Sequence, residues 1–326
     1  MIASLKAIAP GPFVTLQDSG RRGWMRYGVP GSGAMDNESL AVANALVGNT
    51  AGHAALEFAH VGGEWEVTAW SCRIAVTGGS FSVTVDGERL AANASHTLTR
   101  GQRLKLMGAP DAVWGYLAVA GGFDVRQQLG SLSTHLRSGI GGLHGSVLAA
   151  GDELPLCLEE APDGPEHRFH ASPRPSGPLR VVLGPQDDYF TPAAIETFLG
   201  SSYQVTHQGD RQGYRLAGPP LEHAKGYNII SDAPVPGCIQ VPGAGQPIVL
   251  LADCQTIGGY PKIATVITAD LGRFAQCRPG RTITFDAVDV REAQRLYRAD
   301  RDSLETIGHK VEPIAARVRR PFWLLQ

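Results

Sequence analysis

Charge is scarce in this chain of 326 residues: Asp, Glu, Lys and Arg make up 18%, against about 25% in ordinary globular domains. With 29 basic and 31 acidic residues the net charge is −2, so no basic excess exists to recruit nucleic acid or an anionic membrane surface. Cysteine is limited to five positions (Cys72, Cys157, Cys238, Cys254 and Cys277). An odd number without C-x-x-C spacing fits neither a zinc ribbon nor a disulfide framework. Long apolar runs are missing as well. Stretches such as 248–252 fall far short of a membrane span, and residues 1–6 lack the apolar region of a signal peptide. These absences lead to the expectation of a soluble, cytoplasmic protein without a structural metal.

The common catalytic signatures are also missing. No G-x-x-x-x-G-K-[ST] phosphate loop occurs, and neither G-x-S-x-G, S-x-x-K nor H-E-x-x-H is present. Gly28-x-x-Gly31-x-Gly33 is a poor phosphate cradle, because no strand leads into it as such a cradle requires and Pro30 lacks a backbone donor. His167 and His170 have a metal-like spacing but no obvious carboxylate partner, and they read as a surface pair.

What the chain does contain is hydrophobic material (43%) and an excess of glycine (40) and proline (22). The first suffices for a packed core, and the second, without a G-X-Y period, describes a turn-dense protein of many short elements. Residues 73–77 and 81–85 flank Gly78-Gly79-Ser80, and the latter run meets an Asp86-Gly87 turn, so 73–90 is expected to form two successive hairpins. A loose recurrence of an apolar residue, a Gly turn and a short strand appears around Gly101, Gly151, Gly245 and Gly280, twice in each half. Helices are few. Asp36 caps a helix over 37–47, Thr191 and Pro192 open another before Gly200, and Val290, Ala293, Leu296 and Tyr297 give 289–300 an apolar face. No β-α-β alternation is visible, which argues for barrels or sandwiches over a Rossmann or TIM fold. The Pro-rich stretch 159–178 reads as an extended linker, giving units 1–172 and 173–326. The tail beyond 311 carries Arg317, Arg319 and Arg320 before Phe322-Trp323, which is expected to dock locally.

Polar density concentrates in three places. In Thr15-Leu16-Gln17-Asp18-Ser19-Gly20-Arg21, Asp18 can hold an arginine fork and orient it towards an anion. In Arg211-Gln212-Gly213-Tyr214-Arg215, an extended strand puts Arg211 and Arg215 on one face, where both can converge on one anion. The most specific is Gln240-Val241-Pro242 followed by 245–262: a buried strand runs into a loop with Asp253, Gln255, Thr256, Tyr260 and Lys262, the setting in which sites are usually found. Cys254 lies in the same run but has no histidine near it in sequence, and buried cysteines are usually inert.

The same residues carry a family resemblance. The chain resembles the KipA-type proteins, which include the C subunit of bacterial ATP-dependent 5-oxoprolinase and the carboxyltransferase domain of urea carboxylase, also known as the second component of allophanate hydrolase. The resemblance runs over about residues 2–300. It rests on Thr15-x-Gln17-Asp18-x-Gly20-Arg21-x-Gly23, Gly33-Ala34-Met35-Asp36, Ala43-Asn44-x-Leu46-Val47-Gly48-Asn49 and Gly130-Ser131-x-Ser133-Thr134. It continues through Tyr116-Leu117-Ala118-Val119-Ala120-Gly121-Gly122, Arg211-x-Gly213-Tyr214-Arg215-Leu216, Gly245-Gln246-Pro247-Ile248-Val249-Leu250 and Gln255-Thr256-x-Gly258-Gly259-Tyr260-Pro261. Ile257 stands where the family has threonine.

The resemblance implies a mainly β fold of two cyclophilin-like barrels with a few short helices and a site between them. It also implies partners: a KipI-type subunit and, for 5-oxoprolinase, a third, lactam-utilisation subunit. The reaction implied is ATP-driven opening of 5-oxoproline to glutamate, active only in the complex, with ATP bound with or by a partner. Two alternatives accompany it, a biotin-dependent carboxyltransferase acting on a urea-like amide and a regulatory antagonist of a KipI-type kinase inhibitor. No A-M-K-M segment for covalent biotin occurs in the sequence. By residue type and placement, Lys262, Asp253 and Tyr260 are the catalytic candidates. Arg211, Arg215, Gln240, Gln246, Gln255, Thr256 and Asp18 are the substrate-binding candidates.

Overall fold

A computed structural model describes residues 3–315. The basic tail segment from 316 lies outside them. The first half runs β1 (Ser4–Pro10), β2 (Val14–Gln17), α1 (Asn37–Leu46), β3 (Ala55–Ala59), β4 (Gly63–Val67), β5 (Ser71–Thr77), β6 (Ser82–Val85), β7 (Glu88–Leu90), β8 (Ser95–Thr99), β9 (Arg103–Met107), β10 (Trp114–Val119) and β11 (Glu153–Pro155). β12 (His167–Phe169) follows before the boundary, and the second half runs β13 (Leu179–Leu183), α2 (Pro192–Gly200), β14 (Tyr203–Asp210), β15 (Gly213–Ala217), β16 (Cys238–Gln240), β17 (Ile248–Leu250), β18 (Lys262–Val266), α3 (Thr268–Ala275), β19 (Thr282–Ile283), β20 (Phe285–Ala287), α4 (Val290–Glu305) and β21 (Val311–Pro313). The protein is mainly β with a few helices, as expected.

In the first half, one sheet has the order β11-β1-β4-β9-β6-β7 and a second the order β2-β3-β10-β5-β8. Leu5, Val14, Phe58, Trp65, Ile74, Val83, Leu104 and Leu117 fill the space between them. In the second half, eight strands form one sheet in the order β19-β14-β15-β17-β16-β18-β13-β20. Its two end strands are separated by a single residue in the chain, so the sheet curls until its edges nearly meet and forms a nearly closed barrel.

Local signals place several elements as expected. The Asp36 side chain accepts a hydrogen bond from Ser39 N at the start of α1, and Thr191 accepts from Ala194 N before Pro192 in α2. The Asp86-Gly87 turn joins β6 to β7 with both residues at positive φ, 51° and 88°.

Two expectations fail and a third is met only in part. The run 73–85 is not a hairpin: β5 pairs with β8 and β10, while β6 pairs with β7 and β9 in the other sheet. The cause lies in the glycines. Gly78 has φ +110°, and a Cβ there would lie 2.3 Å from Trp114 O, so Gly78-Gly79 lets the chain cross close to β10 instead of folding back. The helix near 289 extends to 305, but none of its residues is buried, and Tyr297 and Val290 stay exposed. The Pro-rich stretch is not a free linker either. Arg73 binds the carbonyls of Pro162 and Gly164, Ser95 binds Glu166, and β12 pairs antiparallel with β21.

The two halves share an apolar core. α1 and the inner residues Trp114 and Tyr116 pack with Val181, Phe198, Tyr203, Tyr214, Val249 and Phe274 in one cluster. Polar groups lock the same contact. The Gln276 carboxamide accepts from Val113 N and Trp114 N and donates to Asp36 and Trp114 O, each at 2.9 Å. Trp114 Nε1 donates to the Tyr214 hydroxyl at 2.8 Å.

Candidate functional site

Arg211 is placed by a turn, not by a strand. β14 ends at Asp210, whose carboxylate accepts from Gln212 N at 2.7 Å, and β15 begins at Gly213. The hairpin tip therefore turns Arg211 inwards while Arg215 stays on the strand, so the two guanidinium groups do not converge. Arg211 is 2% exposed. It grips Asp253 bidentately at 2.8 and 2.9 Å, donates to Gly33 O at 2.7 Å and pairs with Glu57. Burial alone would lower its pKa, but the Asp253 and Glu57 carboxylates outweigh burial and raise it. Glu57 also accepts from Met35 N and the Tyr116 hydroxyl, both at 2.7 Å. This network joins the two halves and ties Arg211 and Asp253 to each other.

Lys262 is likewise not a loop residue. It opens β18, is 2% exposed, and its Nζ donates to Asp232 at 2.9 Å. Gln186 also donates to Asp232, at 3.2 Å. Gln246 clamps the backbone of Gly218 through both ends of its amide, at 3.1 and 3.0 Å. Asp18 holds no arginine: its carboxylate accepts from Gly20 N, Ser131 Oγ, Leu132 N and Ser133 Oγ at 2.6–2.8 Å. That is full occupancy for a carboxylate. Burial pushes the Cys254 thiol up to about 12, and at 2% exposure it is an inert core sulfur.

The remaining candidates do meet. Arg215 faces Ile248 across β15–β17, and Ile248 faces Gln240 across β17–β16. Residues directly opposite share a face, so Arg215, Ile248 and Gln240 form a row on the outside of the barrel, opposite the inward Tyr214, Val249 and Ile239. This row floors a cavity of about 700 Å³, walled by Gln255, Tyr260 and, from the first half, Arg137. Gln255 donates to Gln240 Oε1 at 3.0 Å, while the buried Gln240 Nε2 has no acceptor among the described residues. A Cβ on Gly258 would lie 2.6 Å from that Nε2, so any larger residue there pushes the Gln240 amide aside.

An adjoining cavity of about 490 Å³ shares Arg137, Asp210, Gln212 and Gln255 and adds Thr256, His135 and the paired Arg211 and Asp253. Burial holds the pKa of His135 below its ordinary value, and its Nδ1 lies 2.9 Å from Ser138 Oγ. Arg137 and His135 escaped sequence reasoning because they lie far along the chain from the other lining residues. The Gly130-x-x-Ser133-Thr134 run just before them was the available signal. A larger cavity of about 900 Å³ between α1 and α4 contains none of the candidates. No cluster of three or more potential metal-ligating side chains occurs among the described residues, and no described helix is long and apolar enough to cross a membrane.

The arrangement is thus a polar cavity with two guanidinium groups, several carboxamides, a phenol and a nearby imidazole. It suits a small, polar, carbonyl-bearing ligand and offers no activated nucleophile of its own.

Comparison with known proteins matches residues 27–287 to the family described as carboxyltransferase domain, subdomains A and B. The chain is 38% identical over 301 residues to the C subunit of 5-oxoprolinase from Escherichia coli, spanning 90% of this chain and 96% of that protein. It is 30% identical over 316 residues to urea amidolyase of Saccharomyces cerevisiae, where it spans 17% of the longer protein. Among solved structures, the K. lactis urea amidolyase superimposes with a TM-score of 0.85 at 28% identity, covering 96% of this chain and 21% of that one.

Proposed function

Because the chain belongs to the carboxyltransferase-domain family, subdomains A and B, we propose that it is the C subunit of an ATP-dependent 5-oxoprolinase that opens 5-oxoproline to glutamate. The observation that carries this reading is the end-to-end match to a relative of that name, which covers 96% of the relative. In this reading the chain works with a KipI-type subunit and a lactam-utilisation subunit in the cytoplasm.

Ring opening adds a water oxygen to the lactam carbonyl carbon, breaks the C–N bond and delivers a proton to the nitrogen. The cavity residues orient the lactam for that step. The Gln240–Gln255 pair and the Tyr260 hydroxyl bind its polar edges and stabilise charge developing on the carbonyl oxygen. Asp253 and Lys262 are positioning residues: the first anchors the Arg211 hairpin tip, the second ties β18 to the segment carrying Asp232.

The segment from Gly28 to Gly33 does not fit the phosphates of ATP. A phosphate needs N–H donors, but Gly28 N and Val29 N are spent on Met25 O and Trp24 O, and Pro30 has none. The following helix is capped by the Asp36 carboxylate, which repels an anion. In this reading ATP is bound with or by a partner subunit, and no step on this chain runs through it.

A second reading, carboxyl transfer from carboxybiotin to a urea-like amide, draws on the TM-score of 0.85 to urea amidolyase. The deciding experiment mixes this chain with purified KipI-type and lactam-utilisation subunits and follows glutamate release and ATP hydrolysis. Dependence of both on 5-oxoproline and on this chain is the expected result. Glutamate formation that proceeds at the same rate without this chain rules the reading out.

A further inference from the structure

Two arginines from opposite halves of the chain line the 700 Å³ cavity. Arg215 stands on the outer face of β15, and Arg137 lies in the short 3-10 turn Leu136–Ser138. Both are exposed, and neither forms an ion pair among the described residues. Arg211 nearby is the contrast, saturated by Glu57 and Asp253. The cavity wall holds one carboxylate, Asp210, and its Oδ1 is engaged by the backbone N–H groups of Gln212 and Gly213. The remaining polar lining includes the carboxamides of Gln240 and Gln255 and the Tyr260 hydroxyl. Two free guanidinium groups against one engaged carboxylate make the cavity a site for an anion.

We infer that Arg137 is a specificity-determining residue that, with Arg215, grips the carboxylate of a small amide substrate. This rests on the 5-oxoprolinase reading. A guanidinium fork binds a carboxylate through paired charge-assisted hydrogen bonds. A neutral amide without a carboxylate leaves both forks unpaired, and a site built for a charged partner rejects the analogue that lacks it. The same charge pattern disfavours urea as the ligand. Because each half supplies one arginine, the anion site is complete only when the halves are docked.

The test uses the reconstituted complex and two ligands, 5-oxoproline and 2-pyrrolidinone, which has the same ring without the carboxylate. Arg137 makes no hydrogen bond among the described residues, so Arg137→Ala is expected to fold normally. Calorimetric affinity for 5-oxoproline should drop, and KM rise, by about 10- to 100-fold. The kcat should change little. Arg137→Lys should recover part of the affinity, and binding of 2-pyrrolidinone should be the same in wild type and variant. Unchanged 5-oxoproline affinity in Arg137→Ala overturns the inference, as does a wild-type complex that binds both ligands equally or neither. Arg137-dependent binding without any turnover sinks the functional reading and leaves the arginine assignment standing. Turnover with a KM indifferent to Arg137 does the opposite.

Discussion

Arg211, Lys262 and Gln276 each combine near-complete burial with a polar head whose partners are fixed by the fold. Replacing Arg211 with Met keeps most of the volume but leaves Glu57 and Asp253 without their cation. Breaking a buried pair in this way costs about 3–5 kcal/mol, a large part of a typical total stability of about 5–15 kcal/mol. The expected outcome is loss of soluble protein, checked by expression yield and melting. For Gln276→Leu, Val113 N, Trp114 N and Asp36 lose a partner. Each stranded buried group costs about 1–3 kcal/mol, and a clearly lower Tm is expected. Lys262→Ala belongs with these, since its stem is buried and only Asp232 is half exposed. A lower Tm is expected for it too, whereas turnover loss at an unchanged Tm would return Lys262 to the reacting site. Gly258→Ala behaves differently. Its new methyl displaces the Gln240 amide, a movable side-chain end, so 5-oxoproline turnover should fall while Tm holds.

Among the elements, α3 ties its charge to the barrel. Asp270 on α3 is buried and accepts from Arg180 at 2.6 and 3.0 Å and from Arg273 at 2.9 Å. Burial would raise its pKa, yet these partners together lower it. Asp36, at the start of α1, is lowered in the same way: Arg174, Gln276 and Ser39 outweigh burial. A carboxylate with a depressed folded pKa contributes stability above its unfolded value, about 4, and loses it as pH falls through the folded one. These two carboxylates should therefore add a decline in Tm below about pH 4, and Asp270→Asn should flatten that acid limb.

α3 also marks where the sequence stopped being readable. α1 and α2 announce themselves with Asp36 and Thr191, whose side chains cap. The N-cap of α3 is Ile267, which makes no side-chain bond. The β6–β7 hairpin was legible because Asp86-Gly87 supplies both positive φ values locally. The separation of β5 from β6 was not, because it depends on how closely Gly78 approaches β10. The site follows the same division. The polar loop 253–262 drew notice by composition, and Gln240, Gln255, Tyr260 and Arg215 do meet in one cavity. Arg211 is saturated by Glu57, 154 positions away in the chain, whereas Arg137 is free. Neither state has a local signature.

For the whole molecule, the shared core and the β12–β21 pairing predict one cooperative thermal transition, because neither half can open without exposing Trp114, Tyr214 and Phe274. Two separated calorimetric peaks would contradict this. The position of β12 has another consequence. It lies before residues 170–178, its Phe169 N donates to Asn93 O at 2.8 Å, and its partner β21 is near the far end of the second half. A backbone cut within 170–178 therefore severs no strand pairing, and a nicked protein should elute as one species on gel filtration. There the peptide bond works as a tether, raising the local concentration of one half around the other to the millimolar range typical of short links. Made as separate polypeptides, the halves should reassemble through the same surfaces, with a yield that depends on their concentration as the joined chain's does not.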